Sequence, residues 1–162
     1  MEQDQKVFQA FNELNISYQL YQHPPVYTVE EWEQYIGGEE GAVCKSLFLR
    51  NPKGDKHFLV IADHSTTIEL KLLAKHLAEK QVSFASEKRL EQYLGLSRGA
   101  VSPFGLLNDG NQQVIVVLDA KLKRYNRLKF HPNINTETVT ISYGDLEKFI
   151  QWRGNKQIGI NL

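Results

Sequence analysis

Two apolar runs separated by a short polar turn constrain this chain most. GAVCKSLFLRN covers residues 41–51 and HFLVIAD covers 57–63, with NPKGD supplying turn residues at 51–55. They predict a β-hairpin whose loop is longer than two residues. Taken two at a time, Val43, Lys45, Leu47 and Leu49 share one face of the first strand, while Ala42, Cys44, Ser46 and Phe48 share the other. Either assignment of the core leaves Lys45 flanked by apolar neighbours. An ammonium taken out of water is costly unless something pairs with it. Two readings follow: a strand lysine that snorkels to an edge, or a cation held at a cleft to grip a carbonyl, carboxylate or phosphate.

The rest of the chain alternates between helical and strand periods. Val7, Phe8, Phe11 and Leu14 give an amphipathic opening helix over 2–14. Ile16, Tyr18 and Leu20 alternate as a strand, ended by HPPVY (23–27), whose prolines cannot continue a ladder. Thr28 with Glu31 three residues on is a capping-box signature for a second short helix, stopped by Gly37 and Gly38. TTIELKLLAKHLAEK (66–80) predicts a helix with two threonines available as caps, and SEKRLEQYLG (86–95) another, opened by Ser86 and closed by Gly95. A structureless passage over 96–111 leads into the strand QQVIVVLD (112–119). VTIS (139–142) reads as the last short strand and YGDLEKFIQW (143–152) as the last helix. Strands and helices are interspersed without strict βαβ alternation, and no linker divides them. One α/β domain over 1–162 is expected, with a mixed sheet rather than a doubly wound one.

Composition narrows the function classes. The 19 Lys and Arg balance the 19 Asp and Glu, which argues against coating nucleic acid by bulk electrostatics but leaves room for a local basic patch. The one cysteine excludes an internal disulfide and a Cys-rich zinc site. MEQDQKVFQAF has no apolar signal region, and no later run approaches membrane-spanning length. A soluble, intracellular chain is expected, most simply cytoplasmic.

Four further features could carry chemistry. GAVSPFG, Gly99 to Gly105, combines two glycines, a serine and a proline in a loop whose backbone N–H groups could approach a ligand; the alternative is an ordinary surface loop. It lacks the GxxxxGK[ST] pattern of a P-loop. His131, between Phe130 and Pro132, is positioned rather than solvated, as either a structural or a site histidine. The other four, His23, His57, His64 and His76, show no metal-ligand spacing, so neither a metal nor a cofactor is expected. Lys121, Lys123, Arg124, Arg127 and Lys129, with Tyr125 and Phe130 interleaved, are either a solvated face or a footprint for a nucleic-acid backbone. Cys44 points away from the face of Lys45 and reads as packing.

CKSLFLRN-PKGDKHFLVIA, the G-x-x-x-P loop from Gly99 to Pro103 running into FGLLND, and FHPNINTETVTIS together resemble the YbaK-like, aminoacyl-tRNA-synthetase-associated editing family. HPPVYTVEE resembles its free-standing prolyl-tRNA editing members, the type that hydrolyses alanyl-tRNA(Pro). The similarity runs in order from about residue 5 to residue 152. It implies a mixed, partly barrel-like sheet surrounded by helices, and a pocket for the aminoacylated 3′-terminal adenosine. Carried across, the family's lysine falls on Lys45 and its histidine on His131. Its loop falls on Gly99, Ala100, Val101, Ser102 and Pro103, continuing into Phe104 and Gly105, with Asn135 and Thr136 beside the pocket. An aminoacyl ester is already activated, so an oriented water and a stabilised oxyanion suffice, with help from the substrate's own ribose hydroxyl implied by the family. The partners implied are the acceptor end of tRNA(Pro) and prolyl-tRNA synthetase, with no membrane. Alternatives are a deacylase for cysteinyl-tRNA(Pro) or a seryl or threonyl ester, a non-catalytic module binding tRNA acceptor ends, and a small-ligand-binding domain.

Overall fold

The computed structural model describes residues 2–36 and 41–162. The first helix, α1 (Gln3–Leu14), buries Val7, Ala10 and Phe11 at helical spacing and stops at Asn15, whose left-handed φ of 56° lets its N–H return to the last turn. After β1 (Gln19–Gln22), the helix α2 (Val29–Ile36) opens on the expected cap: Thr28 Oγ1 accepts from the Glu31 N–H at 3.1 Å and donates to the Glu31 carboxylate at 3.2 Å. Its expected stop at Gly37 and Gly38 lies outside the described residues.

The hairpin forms as expected. β2 (Ala42–Arg50) and β3 (His57–Asp63) pair antiparallel from Cys44 opposite Asp63 to Arg50 opposite His57. Then come α3 (Leu70–His76), β4 (Ser83–Phe84), α4 (Glu87–Leu94), β5 (Val114–Asp119), β6 (Leu128–Phe130), β7 (Glu137–Ile141), α5 (Tyr143–Arg153) and β8 (Gln157–Ile160). Ser86 and Gly95 cap α4 as predicted. Three expectations change. The helix α3 is shorter and begins after Glu69, with neither threonine as its cap. The passage expected to be structureless holds two tight turns of 3₁₀ helix, Arg98–Ala100 and Pro103–Asn108. The strand at 139–142 is not the last, because β8 follows α5.

The strands run in the order β1-β7-β6-β2-β3-β5-β8, with β4 attached to β2. The β3–β5, β5–β8 and β2–β6 pairs are parallel and the others antiparallel, so the sheet is mixed. It is open, with β1 and β8 at its two ends, and does not close into the barrel that the resemblance suggested in part.

On one face α1, α4 and α5 cover the largest core, into which Cys44, Phe48, Leu59 and Ile61 project. On the other face, α3 covers Leu49, Phe58 and Val60, while α2 covers Val43 with Trp32, Ile36 and Val26. Each fully buried side chain of this size contributes about 1.5–3 kcal/mol. These two lesser clusters leave a gap, and Lys45 stands in it, one strand period from Val43 and one from Leu47. Among the described residues no helix is long and apolar enough to cross a membrane.

Candidate active site at a fork in the sheet

One edge of β2 is continuous with β3; the other forks. On that second edge, β6 pairs only at Ala42 and Val43, and β4 only at Leu49 and Arg50. The Lys45 segment lies between, where β6 diverges. Val43 pairs with Lys129 in parallel register, and beyond that pair the two segments diverge from the fork. The two side chains singled out from distant motifs, Lys45 and His131, thus each follow, by two residues, the last position at which β2 and β6 pair.

Lys45 is half-buried and donates its Nζ to the Thr66 carbonyl oxygen. Burial pushes its pKa below the ordinary lysine value, and the Asp63 carboxylate partly opposes that shift. An ammonium has three protons, so one bond to Thr66 leaves donors for a substrate.

His131 is buried, with its ring stacked on Trp32 at 4.1 Å and 12°. Its Nδ1 lies 2.9 Å from the Glu137 carbonyl oxygen. A carbonyl can only accept, so Nδ1 carries the proton and Nε2 keeps its lone pair. Burial, partly offset by the Glu137 bond, pushes the pKa down to about 4. The ring is therefore neutral near pH 7, and among the described residues Nε2 makes no hydrogen bond.

The sequence reading missed the wall behind this histidine. Trp32 Nε1 donates to Thr138 Oγ1 at 2.7 Å. His23 Nδ1 donates to the Pro24 carbonyl at 2.9 Å, so its Nε2 accepts from the same threonine hydroxyl at 2.8 Å. Thr138 thereby locks His23 and Trp32 together, and Trp32 fixes the plane of His131. The available signal was the apolar stripe of α2, which places Trp32 and Ile36 four residues apart on its buried side.

The glycine loop packs on the stretch that follows His131. Gly99 is exposed, yet a Cβ there would meet Asn135 Nδ2 at 3.2 Å and the Tyr27 ring at 3.5 Å. Asn135 donates from Nδ2 to the Val26 carbonyl at 3.3 Å, and the Thr136 carbonyl accepts from the His23 N–H at 3.0 Å. Both residues tie the 23–27 segment to the stretch that follows His131. Within the loop the roles divide. Ala100 is buried and Val101 packs against the main core. Ser102 is fully buried, donating to Asn133 Oδ1 at 2.6 Å and accepting from the Phe104 N–H at 3.1 Å. Pro103, Phe104 and Gly105 are buried, and the Phe104 ring meets Phe11, Phe130 and Phe149 edge-on. The Ser102–Gly105 stretch thus anchors the loop, and Gly99 is its exposed face.

The basic segment is also divided. Lys123, Arg124 and Arg127 are exposed and Lys121 is half-buried. Lys129 is only 1% exposed and donates to the Ile36 carbonyl at 2.9 Å, so it belongs under α2 and leaves the surface footprint. Cys44 packs in the main core, where burial, reinforced by Asp63, pushes its thiol pKa far above the ordinary value. Among the described residues no three His, Cys, Asp or Glu side chains are grouped to hold a metal ion.

With this geometry in view, the likeness to known proteins becomes informative. Residues 23–149 match the family described as the aminoacyl-tRNA editing domain. The chain belongs to that family. It is 45% identical over 162 residues to Prolyl-tRNA editing protein ProX of Acetoanaerobium sticklandii, covering 100% of this chain and 99% of that one. Prolyl-tRNA synthetase associated domain-containing protein 1 of Danio rerio is 33% identical, covering 85% of this chain and 76% of that one. A crystal structure of a candidate trans-editing enzyme for prolyl-tRNA synthetase shares the fold, with a TM-score of 0.77 at 18% identity over 100% of this chain and 98% of that one. The editing-family match spans both sides of the fork, from His23 through Lys45 to His131.

Proposed function

We propose that this protein is a trans-acting aminoacyl-tRNA deacylase that removes alanine from mischarged tRNA(Pro), working in the cytoplasm beside prolyl-tRNA synthetase. The observation that carries the reading is that a half-buried ammonium, Lys45, and a neutral histidine, His131, each follow by two residues the last paired position of the β2–β6 fork. The names of the relatives support prolyl-tRNA as the substrate and the synthetase as the partner.

The reaction requires little beyond placement. Water attacks the ester carbonyl carbon, charge gathers on the carbonyl oxygen, and the bond to the ribose oxygen breaks as that oxygen takes, in net, the proton that the water gives up. Lys45 supplies a fixed positive charge for the developing oxyanion, in a site where burial strengthens the interaction. The free lone pair of His131 Nε2 accepts from and orients the water. The adjacent ribose hydroxyl assists at the leaving oxygen. Trp32, locked through Thr138, keeps the pocket rigid enough to refuse a proline ring by overlap. Exclusion of that kind can be steeper than the ~1–3 kcal/mol available to a site that must discriminate by one methylene.

The test is deacylation of alanyl-, cysteinyl- and prolyl-tRNA(Pro) by the purified protein in EDTA, with Lys45→Ala alongside. The expected result is rapid loss of alanine alone, reduced about 10²–10³-fold in the variant. Faster loss of cysteine would move the protein to the sister specificity. Survival of all three esters while tRNA still binds would overturn the hydrolase reading.

A further inference from the structure

The residue whose carbonyl holds Lys45 also borders a cavity. Thr66 lines a polar cavity of about 370 Å³ beyond the ends of β3 and β5, together with Asp63, Lys121, Arg124 and Tyr125. Crevices outside the carboxyl ends of parallel strands are where open α/β sheets receive ligands. The volume lies within the range of small-molecule sites.

Its walls are differentiated. Lys121 gives one donor to the Leu162 carbonyl and keeps two, and Arg124 is exposed at the rim. Asp63 is already engaged: its carboxylate accepts from Tyr125 Oη at 2.6 Å, from Ser65 Oγ at 3.0 Å and from the Ser65 N–H at 3.3 Å, and pairs with His64 at 3.2 Å. That leaves the two cations free to act on a ligand. Tyr125 is tethered by its hydroxyl while 37% of the residue stays exposed. An aromatic ring pinned at one end and open on its face is a stacking platform for a nucleobase, and neighbouring cations suit the phosphate attached to it.

We propose that this cavity receives the nucleotide preceding the terminal adenosine of the tRNA, with its base on Tyr125 and the phosphate that joins it to the adenosine on Arg124 and Lys121. The assignment rests on the editing reading, since it places the terminal adenosine at Lys45, one residue away through Thr66. The basic segment then has a defined role, in which Lys121 and Arg124 hold one phosphate rather than all five cations tracking a backbone.

The experiment uses the full chain and two probes that carry no amino acid, adenosine and the dinucleotide CpA, so that it reads the cavity independently of catalysis. The wild type is expected to bind CpA about tenfold more tightly than adenosine. Tyr125→Ala should erase that preference, and Tyr125→Phe, which keeps the ring and loses its tether, should fall between. Arg124→Gln should flatten the dependence of log K on log salt by roughly 0.7, the signature of one lost single-strand phosphate contact. Equal binding of CpA and adenosine by the wild type would overturn the proposal. So would equal weakening of both probes by Tyr125→Ala, or displacement of CpA by inorganic phosphate at similar concentration. A CpA preference in a protein that hydrolyses no aminoacyl ester would keep the cavity and retire the deacylase. Turnover without the preference would do the reverse.

Discussion

Two buried histidines in this molecule share nearly everything except what they can do. His57 and His131 are 2% and 7% exposed, and each packs against an aromatic ring, Tyr93 at 4.0 Å and Trp32 at 4.1 Å. Burial pushes both pKa values down to about 4, helped at His57 by Arg89 and Arg50 and resisted at His131 by the Glu137 carbonyl. The difference lies in the lone pair. A guanidinium only donates, so the Arg89 contact at 3.0 Å takes the Nε2 lone pair of His57. At His131 the protonated nitrogen is tied to a carbonyl and the lone pair stays free. Burial and a shifted pKa therefore do not separate the two histidines; the direction of the hydrogen bond does.

The largest effect expected from this contrast is on turnover. His131→Phe keeps a ring against Trp32 and removes both nitrogens, so alanyl-tRNA(Pro) deacylation should fall at least about 10²-fold in kcat/KM. His57→Phe should leave turnover within about twofold and instead lower the melting temperature, because Arg89 loses one of its two acceptors in a part-buried site and keeps only the Gly54 carbonyl. Equal losses of activity in the two variants would break the distinction.

Acid stability is the next test, because it should treat the two histidines alike. Between pH 6.5 and 4 the unfolded chain binds protons at these rings that the folded chain refuses. Their contribution is complete above pH 6.5 and is lost as the pH falls toward 4. For His131 the shift from 6.5 to about 4 corresponds to roughly 3 kcal/mol. Glu137 acts in the opposite sense. Burial and the adjacent Asp4 carboxyl raise its pKa from 4.5 to about 7, so its contribution is lost as the pH rises through that window. The histidine term is therefore measured as a difference: denaturant melts from pH 4 to 7 should be flatter for His131→Phe, and also for His57→Phe, than for the wild type.

The residues that sequence made legible are those whose roles are set locally. Thr28 with Glu31, Ser86 and Gly95 act within a helical turn, and the β2–β3 hairpin needs only a short loop. Lys45 stood out because strand alternation isolates a charge between apolar neighbours. The illegible parts depend on distant segments. The Thr138 lock joins residues separated by 106 and 115 positions. Lys129 looked like one more surface cation because β6 is only three residues long, too short to display an alternation, and its burial depends on α2 arriving above it. The four residues of β8 include a glycine and bury only Ile160, so no periodic signal marks them. The threonines of 66–67 looked like caps, but the Thr66 carbonyl is used by Lys45.

The two glycines that bound the loop provide the smallest and most local test. At Gly105 an added Cβ would lie 2.7 Å from Leu96 Cδ1 and 3.1 Å from Leu94 Cβ, inside the main core. The leucine tip can rotate but the Leu94 Cβ is fixed to its helix, so Gly105→Ala should destabilise by about 1–3 kcal/mol through overpacking. Its effect on turnover should be confined to what that loss of folded protein explains. At Gly99 the nearest atom would be Asn135 Nδ2 at 3.2 Å, a side-chain end at an exposed position. Gly99→Ala should therefore shift stability by less than about 0.5 kcal/mol. Yet Asn135 must move by a few tenths of an ångström, and its amide is what holds the Val26 carbonyl in the 23–27 segment beside His131. A several-fold rise in KM for alanyl-tRNA(Pro) with an unchanged melting temperature is expected at Gly99, and the reverse pattern at Gly105. If Gly99→Ala moves neither quantity, the loop does not reach the substrate, and the site reduces to Lys45, His131 and the wall that α2 provides.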